Sequence, residues 1–120
     1  MRAKLVVSIV AMAILFGVAG TLDAALLNSR GRLTMLRVHD VGTKYGPPSD
    51  QIDVEVVIQL DSRPGMAFGF KLRSDTNALA HQGMLDLLRD ALENQWVVNI
   101  DYSLDQDKKN GVIIRTWVKK

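Results

Sequence analysis

The chain contains no cysteine. That excludes a disulfide framework, a thiolate metal site and a cysteine nucleophile. Aromatic residues are sparse at 6%, and there are three prolines. Charge of one sign is also missing. Fifteen Lys and Arg face thirteen Asp and Glu, and Arg2 and Lys4 alone account for the difference, so the rest of the chain is balanced. A strongly basic nucleic-acid binder, whose affinity rests on neutralising phosphates, is therefore excluded. No apolar run is long enough for a membrane-spanning helix. The longest, Leu5–Ala19, covers 15 residues, against the roughly 20 that a bilayer requires. Motifs with a fixed chemistry are absent as well: there is no Gly-x-Ser-x-Gly elbow, His-Glu-x-x-His helix, Walker loop or Gly-x-Gly-x-x-Gly turn.

What is present begins with a leader. Met1–Lys4 carries two positive charges, Leu5–Phe16 is apolar apart from Ser8, and Gly17-Val18-Ala19-Gly20 is small. Charged, apolar and small segments in that order make a secretory signal peptide over residues 1–20, with cleavage expected between 19 and 25. The mature chain is then expected to be secreted or periplasmic, with no stable membrane anchor after cleavage. The remainder, residues 31–120, is the size of one small domain.

From Gly31 onward the hydrophobic pattern has period two, the mark of strands with one buried face. Leu33 and Met35 alternate, and the apolar set then shifts to Leu36 and Val38, which calls for a bulge or sharp coil in the first strand. Ile52, Val54, Val56, Ile58 and Leu60 alternate cleanly, with Asp53, Glu55, Gln59 and Asp61 expected outward. After the turn Arg63-Pro64-Gly65, a third run places Met66, Phe68, Phe70 and Leu72 on one face. The period then changes. Ala80, Met84, Leu87, Leu88, Ala91 and Leu92 form a helical stripe, Asp75, Thr76 or Asn77 offers a cap, and Gly83 suggests close approach to the sheet. Trp96, Val98, Ile100, Tyr102 and Leu104 restore alternation, and Val112–Val118 is the last strand. The expectation is a mainly β domain with one helix, an OB-fold-like five-stranded barrel of order β-β-β-α-β-β.

The leader, Gly31-Arg32-Leu33-Thr34 at the first strand, and the run Gly83–Ala91 leading into Val97-Val98-Asn99-Ile100 resemble small secreted bacterial OB-fold proteins. Among these the chain is similar to the B subunits of A–B toxins and their uncharacterised relatives. The resemblance covers Gly31–Val118 and is one of architecture. It implies a binding module able to form rings. The toxin subunits usually carry a disulfide, which this chain lacks, and none of their sugar-contacting residues matches a position here.

The candidate chemistry is thin. His39 and His81 stand far apart in sequence; His39 and Asp40, as strand neighbours, point to opposite faces and do not make a base–orienter pair. Asp105-x-Asp107-x-x-Asn110-Gly111 fails the calcium-loop spacing, with Lys109 where the third ligand belongs. No metal, cofactor or catalytic set is expected, and the chain reads as a non-enzyme. Phe68 and Phe70 read as core, which with the balanced charge argues against a nucleic-acid partner. Tyr45 stands out, in a loop Val41–Ser49 with Gly42, Gly46, Pro47 and Pro48 that suggests exposure. OB-folds usually hold ligands on the loop after the first strand and the loop before the last. Here these supply Lys44, Tyr45, Asp107, Lys108 and Asn110 as candidate ligand-binding residues. The functional expectation is an exported binding module for a saccharide or a protein partner. The alternative is a structural or assembly protein that forms a homo-oligomer without a small ligand.

Overall fold

The computed structural model describes residues 26–120; the expected leader and its cleavage window lie outside the described residues. Six strands and one α-helix follow one another, with a 3-10 turn at Pro48–Asp50 after the second strand: β1 (Leu27–Gly31), β2 (Leu33–Val38), β3 (Val56–Leu60), β4 (Phe68–Phe70), α1 (Ala78–Asn94), β5 (Val98–Ser103) and β6 (Gly111–Trp117). They build one curled sheet of order β1-β5-β6-β4-β3-β2. Every strand pair is antiparallel except β4 with β6.

The chain is therefore mainly β with one helix, but it has six strands rather than five, in the order β-β-β-β-α-β-β. The first expected strand is two. β1 pairs with β5 and β2 pairs with β3, so the segment changes partners at Arg32 and cannot run as one ladder. Asp61 satisfies the Arg32 backbone at this corner: its Oδ1 accepts the Arg32 N–H at 3.0 Å, and its own N–H donates to the Arg32 carbonyl at 2.9 Å. The sheet also takes in Leu27–Arg30, where Asn28, Ser29 and Arg30 hide the alternation. The expected irregularity in the first strand is a register shift between Leu33 and Met35, with Thr34 as the extra residue. It turns Leu33 and Leu36 inward and Met35 outward.

The inner face of the curl holds the main core. Val56, Ile58, Leu60, Phe68, Phe70, Val98, Ile100, Tyr102 and Ile113 line it, and Leu88 and Ala91 of α1 close it. Phe68 and Phe70, both within 1% of complete burial, anchor it as the alternation requires. Burying such a side chain contributes about 1.5–3 kcal/mol. The Phe68 and Tyr102 rings meet edge to face, 4.6 Å between centroids, the arrangement that ring quadrupoles favour.

The helix ends because Gln95 adopts the left-handed conformation (φ 58°) and the Trp96 N–H returns to the Ala91 carbonyl at 3.0 Å. Arg32 Nε donates to the Gln95 carbonyl at 3.0 Å, tying this end to the β1–β2 corner. At the start, Asn77 stands at the cap position without a side-chain bond, while Asp75 Oδ1 accepts the Asn77 N–H at 2.9 Å. Ala80 of the expected stripe is exposed. Gly83 faces open space, with nothing within 4 Å of a Cβ placed there. It does not serve close packing.

Candidate functional site

The second expected strand starts late. Ile52 makes one bridge with Tyr45, the chain bends at Glu55, and regular pairing begins at Val56. The segment before the bend therefore folds back over the outer face of the sheet. Ile52 and Val54 pack there on Val57 and Ala67, with Met35 and Tyr45 alongside, as a second small core. Val57 belongs to it because strand neighbours point to opposite faces. Gly69 makes room for the crossing: a Cβ there would run into the Val54 side chain and the Val56 carbonyl.

Glu55, expected outward, is buried at 2% exposure. The bend turns its carboxylate under the segment, where it is fully partnered. Arg73 binds it with two parallel bonds, Nε to Oε1 at 2.9 Å and Nη2 to Oε2 at 2.7 Å, and the Leu72 N–H adds a third at 2.9 Å. Arg73 Nη2 also reaches Asp53 Oδ1 at 2.8 Å. The hydrogen bonds from Arg73 hold the Glu55 carboxyl below its ordinary value, against the opposing effect of burial, and the Leu72 N–H helps. The same guanidinium lowers Asp53, and the two carboxylates raise Arg73.

The loop after β2 and the loop before β6, far apart in sequence, are joined here. Asp50 Oδ1 accepts the N–H groups of Lys109 and Asn110, each at 3.1 Å. The Asn110 amide donates to the Asp50 carbonyl at 2.9 Å, and its oxygen accepts the Ala67 N–H at 2.9 Å. Lys108 Nζ donates to the Gln51 carbonyl at 2.9 Å. Gly46 (φ 103°) sits where these strands of chain cross, and a Cβ there would overlap the Asp50 carbonyl and the Asn110 amide. The result is an open groove of about 350 Å³ lined by Tyr45, Gly46, Pro47, Asp50, Gln59, Gly65, Ala67, Lys109 and Asn110.

Of the five residues expected at the site, Tyr45 and Asn110 line this groove. Tyr45 is half-buried rather than exposed. Its ring packs on the outer core, the Arg37 guanidinium lies 5.4 Å from its centroid, and its hydroxyl accepts from Gln59 Nε2 at 3.5 Å. Asn110 is 6% exposed, and both ends of its amide are taken by backbone groups. Lys108 is likewise engaged in holding the loops together. Lys44 (φ 62°) and Asp107 (φ 66°) are exposed at turns outside the groove lining. Asp50, Gln59 and Lys109 were not anticipated. Asp50 acts across 60 residues of chain, and no local spacing signals such a partner.

The histidines stand apart. His39 shares a 2.7 Å hydrogen bond between Nε2 and the Val54 carbonyl, and His81 lies against Phe70 with ring centroids 5.3 Å apart. Among the described residues no helix is long and apolar enough to cross a membrane. Comparison with protein-family models, curated proteins and solved structures gave no match to this chain.

Proposed function

We propose that the chain is an exported, non-enzymatic binding module built on an OB-fold-like barrel, taking a saccharide or a protein partner in the groove between its two joined loops. The barrel reading draws support from the strand order, in which β1 and β2 stand at opposite ends of the sheet yet follow each other directly through Arg32. The observation that carries the binding reading is the groove itself. It is concave and pre-formed, lined by Tyr45, Gln59, Asp50, Lys109 and Asn110 together with Gly46 and Gly65. Pre-formed clefts with a few polar groups suit small ligands and short segments, and rigid scaffolds carry recognition on loops. The inner face is filled by apolar side chains, which leaves recognition to the outside.

The test is binding of the exported chain to a glycan array and to a cell-envelope extract, compared with Tyr45→Phe/Lys109→Ala. That variant keeps the packed ring and changes the polar groups of two residues that line the groove. The expected result is saturable binding by wild type, weakened about tenfold in the variant, the equivalent of about 1.4 kcal/mol. Equal binding by both proteins would move the site elsewhere. A stable homo-oligomer that binds neither material would favour the assembly role.

A further inference from the structure

The outer face carries a second concave surface where β1, β5 and β6 run side by side. Residues directly paired across strands share a face, so the register sets out rows. Asn28, Asp101 and Arg115 form one row, and Arg30, Asn99 and Trp117 form the next row on the same face. The first row neutralises itself: Arg115 Nε donates to Asp101 Oδ2 at 2.6 Å and Asn28 Nδ2 donates to Asp101 Oδ1 at 3.0 Å. The second row has no acid. Just beyond the ends of these three strands lie Arg32, Val97 and Lys119. These positions, with Trp96, Val118 and Lys120, line an open groove of about 600 Å³ that merges with the surface around Asn99 and Trp117.

Arg30, Arg32, Lys119 and Lys120 are all exposed, and none forms an ion pair among the described residues. Arg32 spends one N–H on the Gln95 carbonyl, and the Asp61 carboxylate close by faces the Arg32 backbone. In a chain whose charges balance overall beyond Lys4, these four make a local positive cluster. The protein's two tryptophans both stand in it, and Trp96 is 42% exposed. Trp96, exposed, and Trp117, partly exposed, lie beside these cations and together match a ligand with flat apolar faces and negative groups.

We propose that this groove binds an acidic saccharide chain, its rings against Trp96 and Trp117 and its carboxylate or sulfate groups on Arg30, Lys119 and Lys120. The choice of a saccharide over single-stranded nucleic acid, which also stacks on aromatics in basic grooves, rests on the export reading above. The site is separate from the loop groove, which contains no tryptophan.

That separation supplies the readout. Because the chain has only these two tryptophans, tryptophan fluorescence, excited at wavelengths tyrosine does not absorb, reports this groove and not the Tyr45 groove. The exported protein is titrated with polygalacturonate oligosaccharides, with neutral dextran oligosaccharides of equal length and with oligothymidylate. The expected result is a saturable fluorescence change with polygalacturonate alone. It should weaken at least tenfold when ionic strength rises from about 0.05 to about 0.5 M, which screens exposed charges. Arg30→Gln/Lys119→Ser/Lys120→Ser should lose about as much, with an unchanged circular dichroism spectrum. Lys119→Ser/Lys120→Ser, confined to residues after the last strand, serves if the triple variant folds poorly. No fluorescence change, an equal response to dextran, or full affinity in the folded variants would overturn the site. Tighter binding of oligothymidylate would overturn the saccharide class, and fractionation showing retention in the cytoplasm would separately remove the export premise.

Discussion

The outer face of the sheet is treated differently over its two halves. Across β3 and β4 the returning segment lays Ile52 and Val54 on Val57 and Ala67, and the pairing of buried Glu55 with Arg73 and the Asp50–Asn110 bonds hold it down. Across β1, β5 and β6 the face carries Arg30, Asn99 and Trp117, with Ile114 at 50% exposure further along β6. The difference teaches where polar groups are structural and where they are free. On the covered half Glu55, Asp50, Lys108 and Asn110 are engaged by the fold, while Lys109 and Gln59 line the loop groove. On the open half Arg115 is paired with Asp101, whereas Arg30, Lys119 and Lys120 form no ion pair among the described residues, so charge there is open to recognition.

Variants that break this contrast rank by what each removes. Phe70→Ala empties the inner core beneath both halves and should cost about 3–5 kcal/mol, read from denaturant unfolding. A loss below about 1 kcal/mol would mean that the Phe68–Phe70 phase is misassigned.

Glu55→Gln acts on the covered half alone. It weakens charge-assisted bonds to Arg73 and the Leu72 N–H and should cost about 2 kcal/mol at neutral pH. The pH dependence follows from the lowered pKa. The native carboxyl titrates below its ordinary value of 4.5, so its contribution is fully present above the unfolded value and is lost as pH falls through the folded one. The gap between wild type and Glu55→Gln should therefore narrow on acidification below about pH 4.5. A gap that is constant from neutral to acid conditions would show that the ion pair is not formed.

Asn110→Ala strands the Ala67 N–H and the Asp50 carbonyl and should cost about 1–2 kcal/mol in the same titration. A neutral outcome would mean that the two loops are not joined. Smallest is Gly83→Ala, on the exposed side of α1 with open space around it. It should stabilise by about 0.5–1 kcal/mol, seen as a raised Tm. Destabilisation would mean that the helix is packed there after all.

The inner core was legible because period two survives wherever one face is buried and the other wet, as at Phe68 and Phe70 or at Val98, Ile100 and Tyr102. The helix was legible from Met84, Leu88 and Ala91. The covered half was not. Ile52 and Val54 continue the alternation of Val56, Ile58 and Leu60 without interruption in the sequence. The bend at Glu55 nevertheless sends the two groups to opposite faces, and the carboxylate turned in there is held by Arg73, 18 residues away. The first strand's division at Arg32 was hidden for a similar reason, since a change of partners leaves no mark on the hydrophobic pattern. Tyr45 was singled out for its turn-rich surroundings, but its neighbours Asp50 and Gln59 come from tertiary contacts that composition does not carry. Tyr45 and Asn110 do meet in one groove, although Asn110 serves chiefly to hold it together.

Amide hydrogen exchange of the native protein across residues 39–55 tests the contrast most directly. The mutual Tyr45 and Ile52 backbone bonds, at 2.9 and 2.8 Å, and the underlying small core predict that both amides exchange nearly as slowly as those of β3. Exchange at those two positions as fast as in an exposed turn such as Gly42–Thr43 would show that the segment does not lie on the sheet, and the distinction between a covered and an open half would fall.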